Sequence, residues 1–205
     1  MILDSITTEF IKDLDVLYDF YVKNKDEHIE VINYKNKKIN IDHILISLHL
    51  SLYEVPLPQL NKVYVAKSNI EGLGVFAKTN IKKGEVVSMY PSDIVRIYQG
   101  NHYFEFKSDR SVKVNLKHAY KTDDCVIFGD AFIDDMNLVG NMINDAAQTD
   151  GSNEKYYHES YLKQNVKYYP YKIFVLIVAC QDIKKDEELL VSYGIEYWKV
   201  IKNNL

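Results

Sequence analysis

Cysteine is almost missing from this chain of 205 residues: Cys125 and Cys180 are the only two. No CxxC or CxC occurs, which excludes a zinc site built on cysteine pairs. Both cysteines sit in apolar runs, where a free buried thiol is the expected state. Arginine is equally scarce, at Arg96 and Arg110 alone, so bidentate clamps for phosphate or carboxylate have little to work with. The net charge of -4 leaves no broad basic surface, which argues against direct binding to nucleic acid. The six histidines show neither HxxxH nor HExxH spacing, and no metal is expected. The longest apolar run, Ile173 to Cys180, is far too short to cross a bilayer. No basic segment followed by an apolar stretch marks a secretory leader. The expectation is a soluble intracellular protein with no membrane partner.

Hydrophobic residues make up 47% and charged residues 26%, an ordinary balance for a chain that buries a real core. Seventeen tyrosines add both apolar bulk and hydroxyls. Ile6, Phe10, Leu14, Leu17 and Tyr21 recur at helical spacing, and Asp4 or Ser5 can cap the start. Ile29–Ile32 and Ile39–Ile41 flank the polar Asn33–Lys38, which predicts a turn or hairpin. From Ile41 to Tyr53 the apolar positions fit a helix and a strand alike; length favours the helix, and Pro56 and Pro58 close it. Residues 1–60 therefore read as a mainly helical N-terminal extension that carries no chemistry. Beyond the prolines the texture changes to short strands, at Val63–Val65, Gly74–Ala77, Glu85–Tyr90, Ser111–Leu116 and Cys125–Phe128, with turns between them. These belong to a second unit, residues 61–205. Ile81-Lys82-Lys83-Gly84-Glu85 is echoed by Ile183-Lys184-Lys185-Asp186-Glu187, each a tight turn that launches a strand. The polar segment Gln148–Gln164 reads as a long loop, an insertion spanning about residues 147–165.

Three segments draw attention to chemistry. Gly72-Leu73-Gly74 lets main-chain groups approach a ligand with no Cβ in the way; it lacks the third glycine of a dinucleotide fingerprint, and on its own it is a plain turn. In Gly140-Asn141-Met142-Ile143-Asn144-Asp145, Asn144 offers both a carbonyl acceptor and an amide donor, or simply caps a turn. In Glu187-Glu188-Leu189-Leu190-Val191-Ser192-Tyr193-Gly194 an apolar strand runs into a Tyr-Gly turn, with Tyr197 and Trp198 just beyond. That places one phenol at a strand end beside flat side chains, or supplies an ordinary turn tyrosine.

In this order the three segments resemble the SET-domain family of protein lysine methyltransferases, over about Val63 to Trp198. The resemblance implies an α+β, β-rich fold in which small β-sheets surround a knot-like C-terminal segment. It implies S-adenosylmethionine as cofactor, held by Gly72, Leu73, Gly74, Asn144 and Asp145 with Tyr193. Trp198 or Tyr197 would stack on the adenine, or pack without touching it. Tyr193 would be the catalytic residue, positioning the amine and the methyl group. Tyr168 would line the lysine channel and limit the number of methyl groups added, although the adjacent Tyr169 could take that place by a one-residue slip. Tyr103 and Phe104 would line the same channel. The partner would be a protein with a lysine in a basic segment, a histone tail first, which places the chain in the nucleus; a non-histone substrate would place it in the cytoplasm. Where the family commonly has histidine after the asparagine, this chain has Asp145. That departure favours a rival reading, a non-catalytic SET protein that binds a peptide or partner. Tyr90-Pro91-Ser92-Asp93 replaces the usual tyrosine-x-Gly-Glu, and no cysteine-rich flanking segment is present.

Overall fold

The computed structural model describes residues 8–16, 31–34, 37–40, 59–91, 94–99, 102–107, 119–121, 125–129, 136–147, 153–171, 174–195 and 197–198. Residues 8–16 form a helix, α1, in which Phe10 and Leu14 are fully buried, two members of the predicted stripe. Tyr171 Oη donates to Asp15 Oδ1 at 2.7 Å and fastens this helix to the later part of the chain. Strands β1 (Val31–Tyr34) and β2 (Lys37–Asn40) pair antiparallel from Val31↔Asn40 to Tyr34↔Lys37. The hairpin expected there is present, but its strands run two residues further into the polar Asn33–Lys38 segment than hydrophobicity indicated. The helix expected over 41–53 and the strand expected over 111–116 lie outside the described residues.

Among the described residues nine further strands follow: β3 (Val63–Lys67), β4 (Leu73–Ala77), β5 (Val86–Met89), β6 (Ile94–Gln99), β7 (His102–Lys107), β8 (Ala119–Lys121), β9 (Cys125–Phe128), β10 (Val166–Tyr171) and β11 (Phe174–Ala179). They form small antiparallel sheets: β3 with β4, the order β10-β11-β5, and the order β7-β6-β9-β8. Pro170 has no N–H to give to a ladder, and it sits in β10, an edge strand among the described residues. Two turns of 3-10 helix, Met136–Leu138 and Gly140–Met142, lead to the asparagine motif. Gly140 lies so close to the carbonyl of Met89 and the side chain of Ile177 that a Cβ would stand 2.7 Å from the first. The turn can therefore pack flat on the β5–β11 pair. Ser88, buried in β5, secures it by donating to Asn137 O and accepting from Val139 N, both at 3.1 Å.

The segment Gln148–Gln164 corrects the loop expectation: Asn153–Lys163 is a helix, α2. Its sequence, NEKYYHESYLK, carries no continuous apolar stripe, so periodicity gave no sign of it. The core lies between the sheets, where Val75, Val87, Ile143, Ile177, Ile183 and Leu189 are each at most 1% exposed.

Through that core runs the C-terminal segment, extended but without a ladder of its own. On one side it pairs with β4: Ala77 N donates to Glu187 O at 2.9 Å and Leu189 N to Val75 O at 2.7 Å. On the other side Val191 N donates to Asn144 O at 3.1 Å and Asn165 N to Leu190 O at 2.9 Å. The buried Asn165 side chain adds a clamp, accepting from Leu190 N and donating to Glu188 O, both at 2.8 Å. Backbone groups that would be orphaned in the core are thereby paired.

The echoed turns are partners in space. Ile81 and Ile183 exchange both main-chain hydrogen bonds at 2.9 Å. Gly84 N donates to Ala179 O and, in mirror fashion, Asp186 N to Ala77 O, both at 2.8 Å. Asp182 Oδ1 accepts from Lys83 N at 3.0 Å, and Asn80 Oδ1 from Lys185 N at 2.9 Å. Gly84 (φ 94°) and Asp186 (φ 66°) occupy matching left-handed positions. The two turns form a local pseudo-twofold pair that anchors the start of the C-terminal segment against the end of β4.

Candidate active site

The glycine turn between β3 and β4 is shaped from within. Gly72 has φ 51°, a left-handed conformation that favours glycine, and a Cβ there would meet nothing within 4 Å. Gly74 is required for a different reason: the space a Cβ would fill is taken by the carboxylate of Glu188. Glu188 Oε1 accepts from Ser68 Oγ at 2.7 Å and from Asn144 Nδ2 at 3.1 Å. The close approach expected at this glycine is thus made by the chain's own carboxylate. Leu73 is exposed between the two glycines.

Asn144 joins that turn to the rest of the site. Its Nδ2 lies 3.1 Å from Glu71 O and 3.1 Å from Leu73 O, and its main chain bridges to Leu190 in parallel. The residues on either side of it hold Tyr193. Tyr193 Oη donates to Ile143 O at 2.9 Å, and Tyr193 N donates to Asp145 Oδ2 at 2.8 Å. Asp145 is 4% exposed; its Oδ2 also accepts from Trp198 Nε1 at 3.1 Å, and its Oδ1 from Ala147 N at 2.9 Å. Segments separated by dozens of residues therefore meet at Ile143-Asn144-Asp145.

The Tyr193 ring stacks on Trp198, with centroids 6.4 Å apart and planes at 16°, and meets Tyr197 edge-on at 4.7 Å. Burial pushes the Tyr193 phenol well above the ordinary tyrosine range, with Tyr197, Asp145, Tyr90 and Glu71 adding to it. It is a neutral phenol at physiological pH. Because a carbonyl only accepts, the Tyr193 proton is committed to Ile143, and the oxygen presents its lone pairs.

Tyr168, on β10, lies among three other tyrosines. Its ring centroid is 5.0 Å from that of Tyr120 and 5.9 Å from that of Tyr90. Burial raises its phenol far above the ordinary value, followed by the effects of Tyr193, Tyr90, Tyr120 and Asp145. Tyr169, the alternative of the one-residue slip, is 54% exposed, so Tyr168 is the inward member of the pair. Tyr103 and Phe104 stand on β7 in register with Tyr98 and Ile97; their side chains lie outside the described residues.

A family model for the SET domain matches residues 72–194, more than half of the chain. The chain belongs to the SET-domain family. Among solved structures, one similar chain is a candidate histone methyltransferase from Plasmodium falciparum, at 22% identity and a TM-score of 0.38, covering 67% of this chain and 96% of that one. Another is the methyltransferase domain of human PR domain-containing protein 2, at 19% identity and a TM-score of 0.39, covering 68% of this SET protein and 80% of that chain. A third is ATXR5 in complex with histone H3.1 mono-methylated on R26, at 18% identity and a TM-score of 0.37, covering 64% and 56% respectively. A comparison with curated proteins gave no match.

Several residues that build this SET site went unassigned at the level of sequence. Glu188 shares the half-buried phase of Leu190, opposite the buried Leu189 and Val191, so alternation along the strand gave no sign that its carboxylate packs against Gly74. Ser68 and Tyr120 carried no signal, and Tyr90 and Asn165 were noted only as motif positions, at Tyr90–Asp93 and just ahead of Tyr168; each acts through contacts distant in sequence.

Proposed function

We propose that this SET protein is an S-adenosylmethionine-dependent protein lysine N-methyltransferase acting on a basic segment, with a histone tail as the first substrate to test. The observation that carries the reading is the convergence at Ile143-Asn144-Asp145. There one side chain ties down the Gly72–Gly74 turn while a neighbouring carbonyl takes the proton of the Tyr193 phenol.

The residues present fit the cofactor. At Gly72 and at Gly194 (φ 85°) a Cβ would meet nothing within 4 Å, so the main chain on both turns is open to a ligand. Main-chain groups of Gly72 and Leu73, with Asn144, would hold the charged amino-acid part, while Gly74 is taken up by Glu188; Tyr197 or Trp198 would face the base. When bound, the cofactor supplies an electrophilic methyl group on a cationic sulfur.

The rest falls to the chain. A lysine amine must arrive neutral, yet in water its pKa is about 10.4. Aromatic surroundings at Tyr168, beside Tyr90 and Tyr120, would disfavour the ammonium and lower that value, whereas Tyr103 and Phe104 are neighbours on one strand and at most one of them can face the same side. Tyr193 keeps its proton on Ile143 and does not act as the base. With its proton on Ile143, the Tyr193 oxygen would be free to accept from the substrate amine or from weak C–H donors and so orient the amine. The amine proton leaves to solvent.

The test is incubation with radiolabelled cofactor and mixed histones, beside a Tyr193→Phe control. Label on histone lysine that the control lacks is the expected result. Label confined to non-histone proteins of a lysate redirects the substrate. No transfer at all, together with no cofactor-induced thermal shift, overturns the enzyme reading in favour of a peptide- or partner-binding module.

A further inference from the structure

Asp145 is buried, and three hydrogen-bond donors converge on it. Ala147 N reaches Oδ1 at 2.9 Å, while Tyr193 N and Trp198 Nε1 share Oδ2 at 2.8 and 3.1 Å. An ionised carboxylate only accepts, and it can take several donors at once; a neutral imidazole offers a single acceptor nitrogen and could not serve all three. The departure from histidine is therefore matched by the donors around it. Two of those donors belong to the C-terminal segment and bracket the Tyr193 side chain. One fixes the Tyr193 main chain, and the other orients the indole that stacks on the Tyr193 ring at 16°. Two anchors on one oxygen restrict how far the phenol can swing from Ile143 O.

We propose that Asp145 is a positioning residue: its carboxylate docks Trp198 onto Tyr193 and so sets where the Tyr193 hydroxyl stands, instead of contacting cofactor. What Tyr193 then does rests on the methyltransferase reading; the docking does not. Asp145→Asn tests it, because the amide has nearly the same shape but turns an NH2 group against an N–H donor on one side or the other. Trp198 is the only tryptophan of the chain, so intrinsic fluorescence reads the docking directly.

In Asp145→Asn the Trp198 emission is expected to shift to the red and to be quenched more readily by acrylamide, with the far-UV spectrum unchanged. Turnover, kcat, is expected to fall roughly tenfold or more, the equivalent of one lost charge-assisted hydrogen bond, while KM for the cofactor holds. A folded variant with unchanged Trp198 quenching overturns the proposal. So does a rise in cofactor KM at constant kcat, which would make Asp145 a ligand. If the unaltered protein transfers no methyl group, the methyltransferase reading fails and the quenching comparison still decides the docking. If Asp145→Asn does not fold, Trp198→Phe removes the indole N–H and leaves the carboxylate; a lower kcat at constant cofactor KM supports the proposal, and an unchanged kcat overturns it.

Discussion

The phenol of Tyr193 gives its proton to the carbonyl of Ile143, 2.9 Å away. That single bond decides which way the oxygen's lone pairs point, and it ties the C-terminal segment to the asparagine motif 50 residues earlier. Tyr193→Phe keeps the ring, and with it the contacts to Tyr197 and Trp198. The expected loss of stability is that of one hydrogen bond, about 0.5–1.5 kcal/mol. Methyl transfer is expected to fall at least a hundredfold, on the order seen when one positioned polar group is removed from a reacting centre. Thermal unfolding and a labelled-cofactor assay read the two separately; near-normal turnover in a folded variant would remove Tyr193 from the mechanism.

Tyr168 is the inward-facing phenol of the Tyr168-Tyr169 pair and sits beside Tyr90 and Tyr120. In the methyltransferase reading its hydroxyl takes up room that a further methyl group needs. Tyr168→Phe is expected to raise the number of methyl groups per lysine, read by mass spectrometry of a peptide product. An unchanged product distribution counts against that role, and the same experiment on Tyr169→Phe is expected to change nothing.

What could be read in the sequence was local. The Gly72–Gly74 turn, the asparagine motif and the Tyr193 turn each follow from a few adjacent residues, and their order suggested that they meet. The echo of Ile81–Glu85 in Ile183–Glu187 was visible too, but that the two turns are hydrogen-bonded partners was not, because pairing across about a hundred residues leaves no mark in either. The sequence carried a further signal: a Gly-Asn dipeptide, typical of two-residue hairpins, falls at 100–101 between β6 and β7, which pair antiparallel. Helix α2 carries no apolar stripe and could not be found by periodicity. The resemblance placed Asp145, where the family commonly has histidine, among the cofactor residues; that its carboxylate accepts from Tyr193, Trp198 and Ala147 could not be read from the sequence.

The pairing of Gly74 with Glu188 makes an energetic statement that a mutant cycle can check. Gly74→Ala drives the Glu188 carboxylate away from Ser68 and Asn144, at an expected cost of about 1–3 kcal/mol. In a Glu188→Ala background the carboxylate is already gone, and the same change is expected to cost clearly less, a coupling of about 0.5 kcal/mol or more. Denaturant unfolding of the four proteins gives the coupling. If the two single costs simply add, Glu188 is not what excludes a side chain at position 74.

Burial raises the phenols of Tyr90, Tyr120, Tyr168 and Tyr193 above their ordinary value of 10.0. Below about pH 10 both the folded and the unfolded chain keep these protons, and whatever stability they contribute is fully present. Above it the unfolded chain releases protons that the fold retains, so unfolding is favoured as pH rises towards the folded values. Stability is therefore expected to be indifferent to these four groups up to about pH 10 and to fall beyond it. Tyr168→Phe removes one of the four from the balance, and the alkaline slope of its unfolding free energy should be shallower by up to one proton. The same shifts bear on catalysis: with Tyr193 protonated throughout, a pH profile of kcat should show no limb from its ionisation below about pH 10. A kcat limb in the neutral range that vanishes in Tyr193→Phe would mean that the phenol ionises there and works as a base, and an alkaline slope identical in Tyr168→Phe would mean that Tyr168 is not the buried phenol the fold makes it.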